Sequence, residues 1–143
     1  MTDFLPSESR SVAKRVYVLR FSPSGQRLAI RDGANEVWEY DLKGARARRI
    51  SAANNDSKRI EDLLYSPAED RLFAISANGN VGLQSWGLQD PDDSWRAEIW
   101  GTSLAWAGPA RLLVDGRNVY AIDRPESPPL LVQKSGLLRT PEG

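Results

Sequence analysis

Apolar and polar residues alternate along this chain in short bursts, each cut by turn-forming residues. The stretch "VLRFSPSGQRLAI", residues 18 to 30, shows the unit: an alternating run, a break at Ser-Pro-Ser-Gly, then a second apolar run. A period of two sends successive side chains to opposite faces of an extended strand. Pro23 pins its φ at roughly −65° and has no N–H for a ladder, so the strand stops there. Gly25 tolerates the positive φ that a tight turn needs. The stretch therefore predicts a β-hairpin.

The hairpin recurs. "VYVLRFSPSGQRLAIRDGANEVWEYDL" spans 16 to 42, "IEDLLYSPAEDRLFAISANGNVGLQSWGL" spans 60 to 88, and "GTSLAWAGPARLLVDGRNVYAIDR" spans 101 to 124. Phe21-Ser22-Pro23, Tyr65-Ser66-Pro67 and Trp106-Ala107-Gly108 take equivalent places, with the aromatics 44 and 41 residues apart. Arg27-Leu28, Arg71-Leu72 and Arg111-Leu112 then open a second run. A polar turn follows ("RDGAN", "ANGN", "DGRN"), then a third alternating run ("EVWEYDL", "VGLQSW", "NVYAID"). A weaker fourth run closes each unit: "ARARRIS" at 45 to 51, "SWRAEIW" at 94 to 100 and "PLLVQKS" at 129 to 135. Valine, isoleucine and aromatics suit a pleated, half-buried surface. The aromatic ending each first strand is expected to fill the space between stacked sheets. Four short strands per roughly 40–45 residues is the period of a propeller blade.

On these residues the chain resembles the WD-repeat (WD40-like) family of β-propellers, across about residues 16 to 135. The "FSPSG" hairpin carries the likeness, with the third-strand ends Tyr40-Asp41, Trp86-Gly87 and Ile122-Asp123 lying where that family places its Trp-Asp dipeptide. Trp-Asp itself is missing from all three units, and so is the family's Gly-His dipeptide. The hydrogen-bond network that joins those groups in typical repeats therefore cannot form. The resemblance implies an all-β fold: a propeller arc of three four-stranded antiparallel blades, built from three degenerate repeats.

Propellers typically close with four to eight blades. Three blades leave sheet faces that stacking would otherwise bury. Three solutions follow from this. Two copies can join three plus three into a six-bladed ring with a two-fold axis, which is the favoured expectation. A different protein can complete a larger ring. Or the sheets can collapse into a sandwich or an irregular barrel. The expected organisation is a 1–15 extension or latch strand, repeats at 16–51, 60–100 and 101–135 within 16–136, and a 137–143 tail.

Charge and composition narrow the function. Lysine plus arginine equals aspartate plus glutamate, 19 each, which gives no general attraction for nucleic acid or an anionic membrane. With neither cysteine nor histidine, there is no disulfide, no thiol nucleophile, no Ser-His-Asp triad and few transition-metal options. Phosphate-cradling loops of the GxxxxGK[ST] or GxGxxG type are missing as well. No cofactor, no metal and no catalysis are expected, in a soluble, cytoplasmic chain without a signal or membrane-spanning run. The basic run "KGARARRI" at 43 to 50 reads as a solvated strand edge protected by charge. Asp90, Asp92 and Asp93 read as a solvated turn, and the pairs Glu36/Glu39 and Glu61/Asp62 as surface charge.

The remaining candidates are aromatics and arginines. Trp106 and Trp86 read as core, and Trp38 shares a face with Tyr40. Trp95 and Trp100 are expected to be partly exposed. Loops joining second to third strands and fourth to first strands form one rim, bearing Arg31, Asp32, Arg59 and Arg117 with Asp115 and Asn118. In WD-repeat proteins that rim docks partners, so the resemblance implies a non-catalytic scaffold that binds another protein. Its partner-binding candidates are Arg31, Asp32, Arg59, Trp95, Trp100 and Arg117. Two other roles compete: an immunity or antitoxin-type protein whose acidic loop blocks an enzyme, and a carbohydrate-binding propeller.

Overall fold

A computed structural model of the chain describes residues 15–52, 59–122 and 129–133. The expected latch at 1–15 lies outside them except for residue 15, and the expected tail at 137–143 lies outside them entirely. Twelve strands form three four-stranded sheets, each an antiparallel meander. The first sheet holds β1 (Val16–Phe21), β2 (Arg27–Asp32), β3 (Val37–Asp41) and β4 (Arg46–Ser51). The second holds β5 (Ile60–Tyr65), β6 (Arg71–Ser76), β7 (Leu83–Gly87) and β8 (Ser94–Ala97). The third holds β9 (Leu104–Trp106), β10 (Arg111–Val114), β11 (Asn118–Ala121) and β12 (Leu130–Gln133). Each sheet is one of the expected blades, with its strands ordered as they run in sequence. Among the described residues no helix is long and apolar enough to cross a membrane.

The opening hairpin is built the same way in the first two blades. Ser22 N–H donates to Arg27 O, and Ser66 N–H to Arg71 O, at 2.9 and 3.0 Å. The serine hydroxyl then accepts the returning backbone: Arg27 N–H reaches Ser22 Oγ at 3.1 Å, and Arg71 N–H reaches Ser66 Oγ at 3.0 Å. In the third blade Ala107 keeps the backbone bond to Arg111 but has no hydroxyl to add the second. One turn residue is left-handed in each of the three: Gly25 at φ 78°, Glu69 at 59° and Ala110 at 56°. Only glycine adopts that conformation without cost. Glu69 is held there by donating its N–H to Ser66 O, and its carboxylate accepts Ser24 N–H across the blade boundary at 2.6 Å.

The middle blade supplies both cores. Its face toward the first blade carries Ile60, Leu63, Tyr65, Leu72, Ala74 and Trp86, which pack with Ala29, Val37 and Ile50. Its opposite face carries Leu64, Phe73, Ile75, Leu83 and Trp95, which pack with Leu104, Leu112 and Val114 of the third blade. All six residues of β6 are buried, since a strand covered on both faces has no polar side. At Gly82 a Cβ would lie 2.1 Å from the carbonyl oxygen of Ile99, so that close approach admits only glycine.

The first strands of the three blades meet at one junction. Arg20 donates to Leu63 O at 2.8 Å, to both oxygens of Asp62 at 3.1 Å, and to Leu104 O at 3.3 Å. Leu104 N–H closes the set by donating to Asp62 Oδ2 at 2.8 Å. One carboxylate and one guanidinium therefore tie β1, β5 and β9 together. Asp62 belongs to this junction, which corrects its reading as surface charge.

Stacked aromatics fill the expected space between blades at two of the three sites. Tyr65 is buried, and Trp106 donates its indole N–H to Tyr65 O at 2.8 Å. Phe21, the equivalent residue of the first blade, is 54% exposed. No described sheet lies against it.

Candidate functional site

The site begins with three strands whose alternation places charge on a single face. Register pairs Arg27 with Asp41 and Asp41 with Arg46, and Ala29 with Glu39 and Glu39 with Arg48. Cross-strand partners point the same way, so Arg27, Glu39, Asp41, Arg46 and Arg48 all face the second blade. Ala29 between them is small and completely buried, which brings Glu39 in against β5.

Glu39 is the centre of this arrangement. It is 2% exposed. Its Oε1 accepts Arg27 Nη1 at 3.2 Å, Arg48 Nε at 3.0 Å and Arg48 Nη2 at 2.8 Å. Its Oε2 accepts the Tyr65 hydroxyl at 3.0 Å. Arg48 also donates to Leu88 O of the second blade. A buried carboxylate is tolerated only with such compensation. The surface-charge reading of Glu39 is thus corrected. The strand-edge reading of "KGARARRI" is corrected for Arg48, which turns inward, while Arg46 and Arg49 are exposed.

The guanidiniums border a cleft of about 600 Å³ between the first and second blades, whose lining adds Ala47, Leu88 and Gln89. A more apolar cleft of about 490 Å³ lies between the second and third blades, lined by Pro67, Phe73, Trp106, Pro109 and Ile122 among others. Both open near the turns that join first to second strands and third to fourth strands. That is the end opposite the rim expected from the sequence.

At the expected rim the loops are tied to one another. Asp32 is buried, and its Oδ1 accepts the N–H groups of Ala34 and Glu36 at 3.0 Å, while Oδ2 accepts the Trp38 indole N–H at 3.2 Å. Arg31 is also buried. It donates to Ile60 O at 3.1 Å and stacks over Tyr17 with its guanidinium carbon 4.9 Å from the ring centre. Burial, with Arg59 adding a like charge, lowers the pKa of Arg31. Asp115 Oδ1 accepts the N–H groups of Thr102 and Ser103 at 2.7 and 3.0 Å.

Of the six candidates, Arg59, Trp100 and Arg117 are exposed near that end, whereas Arg31 and Asp32 are consumed by the fold. Trp95 departs from its expected exposure. It is 8% exposed and sits edge-on to Phe73, with ring centres 5.9 Å apart. The reason is that β8 turns Trp95 toward the third blade. Trp100 is 40% exposed and donates its indole N–H to Gly79 O at 3.1 Å. Of the three acidic-loop residues, Asp93 pairs with Arg71 at 3.0 Å, and Asp90 Oδ1 accepts Asp92 N–H at 3.1 Å.

Sequence reasoning missed the cleft because it took the charges of one strand at a time. The available signal was the same-face alternation of charge in three adjacent runs: Arg27 before Ala29, Glu39 before Asp41, and Arg46 before Arg48.

The tyrosines offer a direct check on this burial. Desolvation and the adjacent Glu39 carboxylate push the Tyr65 phenol far above its ordinary range. Tyr40 is raised by burial and then by Asp32, and Tyr120 by burial. A phenol held protonated in the fold but free to ionise when unfolded adds stability below its ordinary pKa and loses it as pH rises above. Tyrosinate absorbance is expected to appear late for these three, with that of Tyr65 appearing only as the chain unfolds. Tyr65→Phe is expected to make stability fall less steeply above about pH 10. Early, complete ionisation of all tyrosines in folded protein would contradict the geometry.

No family model matches the sequence, and no curated protein matches it. Solved structures do match the fold. The β-propeller domain of Cps50 (Swd1) from Myceliophteria thermophila superposes with a TM-score of 0.61 at 18% identity, over 84% of this chain and 40% of that one. Hsv2 of Kluyveromyces lactis superposes at 0.59 and 13% identity, over 85% of this chain and 47% of that one. A chain of the mitotic checkpoint complex gives 0.51 at 11% identity, over 74% and 30%. These are WD40 β-propeller proteins, and this chain spans less than half the length of each. The fold is therefore a three-blade β-propeller arc.

Proposed function

We propose that the chain is a non-catalytic protein-interaction module, completed by a second copy that stacks on its first blade. One observation carries the reading. On the face of the first blade turned away from the second, Leu19, Ile30 and Trp38 form one row, and Phe21, Leu28 and Tyr40 form the next. The matching rows of the second blade, Leu63-Ala74-Gln84 and Tyr65-Leu72-Trp86, are buried throughout. In the first blade Leu19 is 52% and Phe21 54% exposed, Leu28, Trp38 and Tyr40 are half-buried, and Ile30 is buried. A patterned apolar face with no stacked sheet among the described residues is the form expected of an unfilled blade interface.

A further blade from another chain would cover these rows as the first blade covers those of the second. In a three-plus-three ring it is the third blade of a second copy, whose outer strand exposes Leu130, Leu131 and Val132. The lack of histidine and cysteine agrees with a role that requires no general base or thiol. The completed ring would present Arg59, Trp100 and Arg117 at one end as further partner contacts.

Light scattering coupled to size exclusion tests the assembly. The chain is expected to elute at twice its 15.9 kDa mass. The double substitution Leu19→Ser with Phe21→Ser is expected to return it to one chain while leaving the middle blade folded. A wild-type chain that stays monomeric with the first blade intact would remove the second copy from the reading.

A further inference from the structure

We propose that the cleft between the first two blades is a carboxylate-binding site, which receives an acidic side chain of the protein partner. The inference deepens the proposed function and rests on it. Among the described residues the lining of the cleft carries three cations, Arg27, Arg46 and Arg48, against two anions, Glu39 and Asp41. One positive charge is left over. A single carboxylate balances it, whereas a phosphate dianion would leave excess negative charge beside the buried Glu39.

The donors are held in place before any ligand arrives. Glu39 fixes Arg48 through two nitrogens and Arg27 through one, yet each arginine side chain stays 40% exposed. A guanidinium offers five N–H donors in a rigid fork, so both retain donors after meeting Glu39. Arg48 spends Nε and Nη2 on Glu39 and Leu88 O and keeps Nη1, whereas Arg27 spends one Nη1 N–H and keeps its Nε–Nη2 edge for a bidentate carboxylate. Arg46 stands exposed on the same face beside Asp41, whose carboxylate accepts the Lys43 and Gly44 N–H groups at 3.1 and 3.2 Å. Glu69 lies near Arg27 but outside the cleft lining, with its charged carboxylate turned to Ser24 N–H. Leu88 gives the methylene groups of an acidic side chain an apolar wall.

The test is an NMR titration of the full-length, isotope-labelled chain. The probes are the blocked peptide acetyl-Gly-Glu-Gly-amide, its Gln counterpart, succinate and inorganic phosphate. The Glu peptide is expected to give saturable amide shifts centred on Ala47, Arg48 and Gln89, and the Gln peptide none. Arg46→Gln, at an exposed position, is expected to weaken the Glu peptide about three- to fivefold. Failure to saturate, equal shifts from the Gln peptide, or tighter binding of phosphate overturns the assignment. Succinate binding in place of the peptide also overturns it, by making a free acid the ligand. Sedimentation of the same samples reads assembly independently. A chain that dimerises through its first blade but ignores the peptide sinks this inference alone.

Discussion

Replacing Glu39 with alanine is expected to cost about 3–5 kcal/mol of unfolding free energy, measured by urea titration of tryptophan fluorescence. The carboxylate is buried, and three partners depend on it: Arg27, Arg48 and the Tyr65 hydroxyl. Truncation leaves the hydroxyl without its acceptor and two guanidiniums facing each other across a void. The cost falls mainly on the Tyr65 hydroxyl, which stays buried without an acceptor, and on the void, while the two guanidiniums, each 40% exposed, turn partly to water. Tyr65→Phe removes a donor instead of the hub and is expected to cost only about 1 kcal/mol. The double variant should fall well short of the sum, since both changes act on one hydrogen bond. Additive costs would show that Tyr65 and Glu39 are not coupled.

Phe73→Ala is expected to be as damaging at the other blade boundary, again at about 3–5 kcal/mol. Phe73 is fully buried in β6 and meets Trp95 and Trp106 edge-on, at ring-centre distances of 5.9 and 5.6 Å. Trp95 belongs to its own blade and Trp106 to the next, so the ring joins an outer strand of one blade to the first strand of another. Alanine would leave a cavity that neither rigid indole can fill. Phe73→Leu keeps most of the volume and is expected to cost less than about 1.5 kcal/mol. Near-ultraviolet circular dichroism supplies a second readout, because the bands of Trp95 and Trp106 should collapse in Phe73→Ala and persist in Phe73→Leu. A Phe73→Ala chain with unchanged stability would mean that this boundary is not closely packed.

The fold was largely legible because propeller strands are short, alternating and separated by punctuating turns. Ser22-Pro23, Ser66-Pro67 and the Asp115-Gly116 turn mark places where backbone chemistry is local. The last shows positive φ at both residues, 56° and 69°, a conformation that Asp and Gly tolerate in a tight hairpin. Strand count, strand order and the equivalence of Phe21, Tyr65 and Trp106 follow from such signals. The site was less legible because it depends on which face meets a neighbour. Glu39 and Glu36 are both acids in a polar-looking run, but only Glu39 points at the second blade. Arg31 and Asp32 sit at a strand end where a sequence suggests exposure, yet the adjoining loops fold over them. Trp95 and Trp100 lie in one run, and packing between blades separates their fates. Contacts between residues some 40 positions apart leave little trace in a single chain.

The junction of Arg20, Asp62 and Leu104 has a consequence for how the molecule forms. Every strand pairing within a blade closes a short meander, so each blade can nucleate from its own neighbourhood. The guanidinium of Arg20 instead spans 42 residues to Asp62 and 84 to Leu104. Those bonds form only after two hairpin systems have been made and brought alongside the first. The junction thus acts as a clasp that shuts late, and damage to it should quicken opening far more than it slows assembly.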